Sequence, residues 1–227
     1  MNKFLLSLII VIAGNACTPK QEGIIAIDVL LTLPTEVYDQ ATQLNHLIRE
    51  DSPDNFILDK DHIPHITLLQ CYIPESDLPQ IEKALQGLYQ TIKNDSLSAE
   101  DLQYSKDKTE SFSSIGIKKS VALLTLHKEV IELLKPYIVT DGSQESYVQN
   151  TDGTTIDQFT IDYVPQFVSA HSYDNYNPHI SLGVAKTSVL DSLSENNFHP
   201  VNFQATSISI YQMGAFGTAQ KLLWESE

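Results

Sequence analysis

One five-residue phrase occurs twice in this chain, as Pro64-His65-Ile66-Thr67-Leu68 and again as Pro178-His179-Ile180-Ser181-Leu182. Successive side chains of an extended strand leave opposite faces, so in each copy the His and the hydroxyl residue share one face while Ile and Leu share the other. Each copy therefore specifies a strand with a reactive face and a greasy face. Two such strands, one in each half of the chain, can bring two imidazoles and two hydroxyls to a common cleft. A bare His-x-Ser/Thr pair is a weak signal, but the shared Pro, Ile and Leu make the duplication specific. The remaining histidines, His46, His62, His127, His171 and His199, have neither the preceding Pro nor the hydroxyl two residues on. They read as surface residues or as support for the cleft, with His62 and His171 near enough in sequence to reach its rim.

The N-terminus is set aside before any fold reasoning. Lys3 is followed by the apolar run Phe4 to Ala13, too short to span a membrane, and then by Gly14-Asn15-Ala16-Cys17. This segment resembles a bacterial lipoprotein signal, which implies export, lipidation of Cys17, and a membrane-anchored or periplasmic protein. The other reading is a plain secretory signal with an incidental Cys. Residues 18–23 are a polar spacer, and residues 24–227 are expected to form one bilobal domain. The other cysteine, Cys71, follows the first motif in a strand-like run; it is expected as a small buried hydrophobe without a disulfide.

Charge excludes one class of partner. With 29 acidic against 14 basic residues, and Arg49 the one arginine, the net charge of −15 repels a polyanion over most of the surface. Long RNA or DNA is not an expected ligand, whereas a small phosphate-bearing molecule in a local pocket is. No Cys cluster or HExxH spacing points to a metal site.

Ile24 to Leu31 is a β-branched apolar run and reads as a buried strand. Val37, Ala41, Leu44 and Leu47/Ile48 follow helical spacing, and a loop from Asp51 to Ile63 leads into the first motif strand. A second helical stripe runs from Leu78 through Ile92, two strands follow near 97–104 and 112–118, and a third helix covers 123–138. This order is β-α-β-α-β-β-α. Residues 140–157 hold two Asp-Gly turns and few apolar residues, and are expected as a long exposed loop lipping the cleft. The second motif strand, a short helix near 188–195, one long strand from 203 to 213, and a closing strand near 221–225 finish the chain. A motif strand followed by a helix thus occurs in both halves. The fold class expected is α+β, with two pseudo-symmetric lobes, each an antiparallel sheet flanked by helices, facing each other across a central cleft.

The paired motifs, the opening strand and the closing hairpin together resemble the 2H phosphoesterase superfamily, also called 2'-5' RNA ligase-like. The ending Tyr211 to Gly217 and Lys221 to Trp224 is similar to the strand-turn-strand close of some members. The resemblance implies that His65 and His179 are an acid–base pair and that Thr67 and Ser181 bind phosphate oxygens. It further implies hydrolysis of a nucleotide 2',3'-cyclic phosphate or a similar small phosphodiester. The scheme needs no metal or cofactor. The residues agree with that chemistry on their own terms, because histidine, with a pKa near 6.5, can act as base or acid near neutral pH. Tyr176, Tyr211 and Lys221 are candidates for further substrate contacts, and a monomer is expected. Three other readings stand beside this one: a tethered phosphate-binding protein without turnover, action on a lipid-derived or protein-linked phosphoester, and RNA 2'-5' ligation, which the acidic balance disfavours.

Overall fold

The computed structural model describes residues 23–226, so the expected signal segment, Cys17 and all of the spacer but Gly23 lie outside the described residues. Within the described residues, eight strands and six α-helices follow in the order β1 (Ile24–Thr32), α1 (Thr35–Asp51), β2 (His65–Pro74), α2 (Leu78–Leu85), β3 (Leu97–Gln103), β4 (Glu110–Ile117), α3 (Val121–Leu134), α4 (Gln158–Tyr163), α5 (Phe167–Ala170), β5 (His179–Lys186), α6 (Thr187–Asn196), β6 (Val201–Phe203), β7 (Ser207–Met213) and β8 (Ala219–Glu225). The strands form two four-stranded sheets, β2-β1-β7-β8 and β5-β4-β3-β6, antiparallel throughout. This is the expected α+β architecture of two sheets with flanking helices. The sheets do not follow the halves of the chain, because the closing hairpin β7–β8 returns to sit beside β1.

One apolar cluster runs through both sheets and the helices against them, with Ile27 and Leu69 from the first, Ile115 and Ile180 from the second, and Leu44, Leu126 and Leu190 from helices. In α1 the buried positions Val37, Ala41, Leu44 and Ile48 make one stripe, and that helix lies against β5. Cys71 is buried in the core as a free thiol.

The motif strands β2 and β5 are each the edge strand of their sheet, and the two edges meet. Both carry the greasy face that their alternation demands: Ile66, Leu68, Ile180 and Leu182 are fully buried. Both also carry a bulge at the same place in the phrase. Pairing jumps from Leu69 to Thr67 on β2 and from Gly183 to Ser181 on β5, so Leu68 and Leu182 are the skipped residues. A skipped residue loses its ladder partner, and a buried carbonyl needs another. His127 Nδ1 donates to Leu68 O at 2.8 Å, and Asn45 Nδ2 donates to Leu182 O at 2.9 Å. Further along the edges, Val139 N donates to Tyr72 O, while Asn55 bonds both N–H and C=O of Val184. Gly183 has φ +122°, and a Cβ there would lie 2.8 Å from Asn55 Oδ1, so the β5 bulge requires glycine.

Three expectations need correction. The stripe from Leu78 to Ile92 is not one helix: Gly87 takes φ +82°, ending α2 and leaving a 3-10 turn over Leu88–Thr91. The run from 203 to 213 is two strands in different sheets, since residues 204–206 cross between them. Residues 140–157 are not a merely exposed loop. Tyr147 and Ile156 are buried beside Tyr72, Ala26, Val164 and Met213 in a second, smaller core, and the Tyr72 and Tyr147 hydroxyls hydrogen-bond at 2.6 Å. Of the two readings of the unpatterned histidines, His127 takes the supporting one: it is buried between Leu68 O and Tyr173 N, with its ring stacked at 3.7 Å on Tyr176.

Candidate active site

His65 and His179 open their strands and line one cavity of about 310 Å³. Thr67, Gln70 and Ser181 line the same cavity, so the structure brings both copies of the phrase to one place. Each imidazole is held alike: Nδ1 lies 2.7 Å from the carbonyl two residues back, Ile63 O for His65 and Asn177 O for His179. A carbonyl only accepts, so Nδ1 carries hydrogen in both rings and Nε2 is the nitrogen left for other partners.

Beyond that shared anchor the rings differ. His65 Nε2 lies 3.3 Å from Asp28 Oδ2, with His65 only 14% exposed and Asp28 fully shielded from solvent. Burial by itself would push the His65 pKa down, but the hydrogen bond and charge of Asp28, with the Ile63 carbonyl, outweigh it and hold the pKa above the ordinary value. Among the described residues no carboxylate pairs with His179. Burial lowers its pKa, the Asn177 carbonyl opposes this in part, and the charge of His65 lowers it further. One ring is thus biased towards the imidazolium and the other towards the neutral base.

The hydroxyls differ as well. Thr67 donates its one O–H to Asp28 Oδ2 at 2.9 Å, and Gln70 Nε2 donates to the same oxygen at 2.7 Å. Among the described residues nothing hydrogen-bonds the Ser181 hydroxyl, which leaves it the readier donor to an anion in the cavity. Asp28 Oδ1 is buried without a hydrogen-bond partner among the described residues. Asp28 and Gln70 were missed in the sequence reading; the available signal was a lone acid inside the apolar run Ile24 to Leu31.

Tyr176 is buried, and its hydroxyl donates to Thr67 O at 2.8 Å, so it braces the motif strand from behind while its ring lines an adjoining chamber of about 210 Å³ with His171, Asn175 and Asn177. The structure does not bring Tyr211 or Lys221 into either space. Tyr211 is paired opposite Asp28 and Leu222 within its sheet, and Lys221 is exposed on the edge strand β8. His171 reaches the adjoining chamber, stacked on Tyr163. His62 instead pairs with Asp59, with Nδ1 and Oδ1 3.0 Å apart. Among the described residues no group of three or more His, Cys, Asp or Glu side chains is arranged to hold a metal ion.

Two sheets presenting a His-x-Thr/Ser strand each, with their histidines across one cavity, define a bilobal two-histidine protein. The family model described as the 2'-5' RNA ligase superfamily matches residues 34–215, and the chain belongs to that superfamily of 2H phosphoesterases. Among solved structures, TT0787 of Thermus thermophilus is similar over 88% of this chain and 96% of its own, at 13% identity and a TM-score of 0.51. Escherichia coli LigT in apo form is similar over 90% and 98%, at 14% identity and a TM-score of 0.46. Kluyveromyces marxianus Usb1 is similar over 88% and 98%, at 12% identity and a TM-score of 0.38. No curated protein sequence matches this one.

Proposed function

We propose that this protein hydrolyses a small phosphodiester, such as a nucleoside 2',3'-cyclic phosphate, with His179 as general base and His65 as general acid. The observation that carries the reading is the pair of imidazoles on one cavity, each with Nδ1 tied to a backbone carbonyl, one beside a buried carboxylate and one without. His179 Nε2 takes a proton from water as the water oxygen bonds to phosphorus. One ester P–O bond breaks, and His65 gives its Nε2 proton to the departing oxygen, leaving a phosphomonoester and an alcohol. The 3.3 Å contact to Asp28 is a loose ion pair, so the His65 proton is not locked away from an oxygen seated in the cavity. Ser181 donates to a non-bridging oxygen, and Thr67 can do so only by releasing Asp28. Both proton transfers are supplied by imidazole, so the scheme requires no metal.

The test is to incubate purified protein with nucleoside 2',3'-cyclic phosphates and follow monophosphate. His65→Ala and His179→Ala are each expected to lose roughly 10²–10⁴-fold in kcat. A wild-type rate equal to that of the double variant would refute hydrolysis of nucleoside cyclic phosphates, and the same result on alkyl phosphodiesters would refute hydrolysis altogether. Thermal stabilisation by the ligand without product would instead favour a binding protein without turnover, a reading encouraged by the cavity lining, which holds no Lys or Arg among the described residues.

A further inference from the structure

The histidine cavity does not end at the histidines. Phe56, Phe112, Phe159, Thr160 and Phe216 line both it and an outer basin of about 460 Å³, so the two spaces adjoin at these side chains. Phe112, Phe159 and Phe216 are 48%, 76% and 59% exposed, unusual for rings of that size at a molecule's surface. Phe216 is also held at φ +57°, a left-handed backbone that costs a bulky residue free energy, and its N–H is fixed by Asp157 Oδ2 at 3.0 Å. Its ring sits 6.5 Å from that of Phe56.

The polar groups around this collar are already engaged. Asn55 uses its amide on Ser52 O and on both backbone groups of Val184. Asp157 accepts from Thr160 N, Thr160 Oγ1 and Phe216 N. What remains at the rim is the negative charge of Asp54 and Glu110, and no cation lines the basin among the described residues. Such a surface lacks spare donors to read the edge of a base and repels a second phosphate. It offers contact area to hydrocarbon.

Building on the proposed phosphate position between His65 and His179, we propose that the basin takes an uncharged hydrocarbon substituent of the phosphoester, making the substrate a single phosphate joined to an apolar group. Selection then follows apolar area and is indifferent to hydrogen-bonding edges.

The test is calorimetric titration of the purified protein with inorganic phosphate and with ethyl, butyl, hexyl and octyl phosphate below their micelle concentrations. Affinity is expected to rise roughly two- to fourfold per added methylene, with an increasingly negative heat-capacity change. The Phe112→Ala, Phe159→Ala double variant, altered at exposed positions, is expected to flatten that slope, while Phe159→Leu retains it. An affinity independent of chain length, a slope unchanged in the double variant, or a more than tenfold preference among nucleoside monophosphates differing only in base would overturn the proposal. Chain-length dependence in a protein that turns over no phosphodiester would refute the hydrolytic reading and leave this one standing.

Discussion

Asp28 lies in the middle of a strand that is otherwise apolar, and its carboxylate collects Thr67, Gln70 and His65 on one oxygen. That single residue separates the two histidines in character. In the proposed reaction His179 must be neutral and His65 protonated. Activity should then rise through a limb below the ordinary histidine pKa of about 6.5 and fall through one above it. Asp28→Asn keeps the shape and removes the charge. The upper limb should move to lower pH, the lower limb should stay, and a kcat–pH profile measures both. If the upper limb does not move, Asp28 does not set the His65 pKa. The histidines were legible because they recur inside a repeated phrase. Asp28 was not, because a lone acid in an apolar run is also what a strand end or a bulge looks like until its partners are known.

The two motif strands are read correctly as elements, including which face is greasy, because alternation is a local property of the chain. Their bulges are not local. Leu68 and Leu182 are skipped only because of what β1 and β4 do opposite them, and their carbonyls are rescued by side chains distant in sequence, His127 and Asn45. Asn45 also donates to Phe56 O and accepts from Leu58 N, so it ties α1 to both the β5 bulge and the loop before β2. Asn45→Ala strands several buried backbone groups and should destabilise the protein by about 2–4 kcal/mol, measured by urea unfolding. A loss below about 0.5 kcal/mol would mean water replaces the amide there. The missed elements have the same cause. Residues 204–206 switch sheets, and Tyr147 and Ile156 find their burial against a sheet face built by β1, β2 and β7, none of which periodicity within 140–157 can reveal.

At the scale of the molecule, a continuous core binds both sheets, and a net charge of −15 surrounds a cavity with no Lys or Arg in its lining among the described residues. An anionic substrate approaches against that field. Added salt screens the repulsion, so kcat/KM for a small phosphodiester should rise by at least about twofold between 10 mM and 200 mM salt, opposite in sign to proteins that steer nucleic acid with basic surfaces. Steady-state kinetics across a salt series checks this; a fall with salt would point to a local cationic entrance. The acidic balance was legible from composition, whereas the aromatic continuation of the cavity was not, because Phe56, Phe112, Phe159 and Phe216 are brought together only by the tertiary fold.

The meeting of two edge strands has a consequence apart from chemistry. An edge strand is a row of unpaired backbone groups, open to a strand from any neighbouring chain, and proteins must blunt it to stay apart from one another. Here Tyr176 and His127 cap Thr67 O and Leu68 O on β2, and Asn45 and Asn55 cap Leu182 and Val184 on β5. Side chains packed along the motif strands thereby guard against aggregation, and a substitution that loosens one of them exposes part of an adhesive edge.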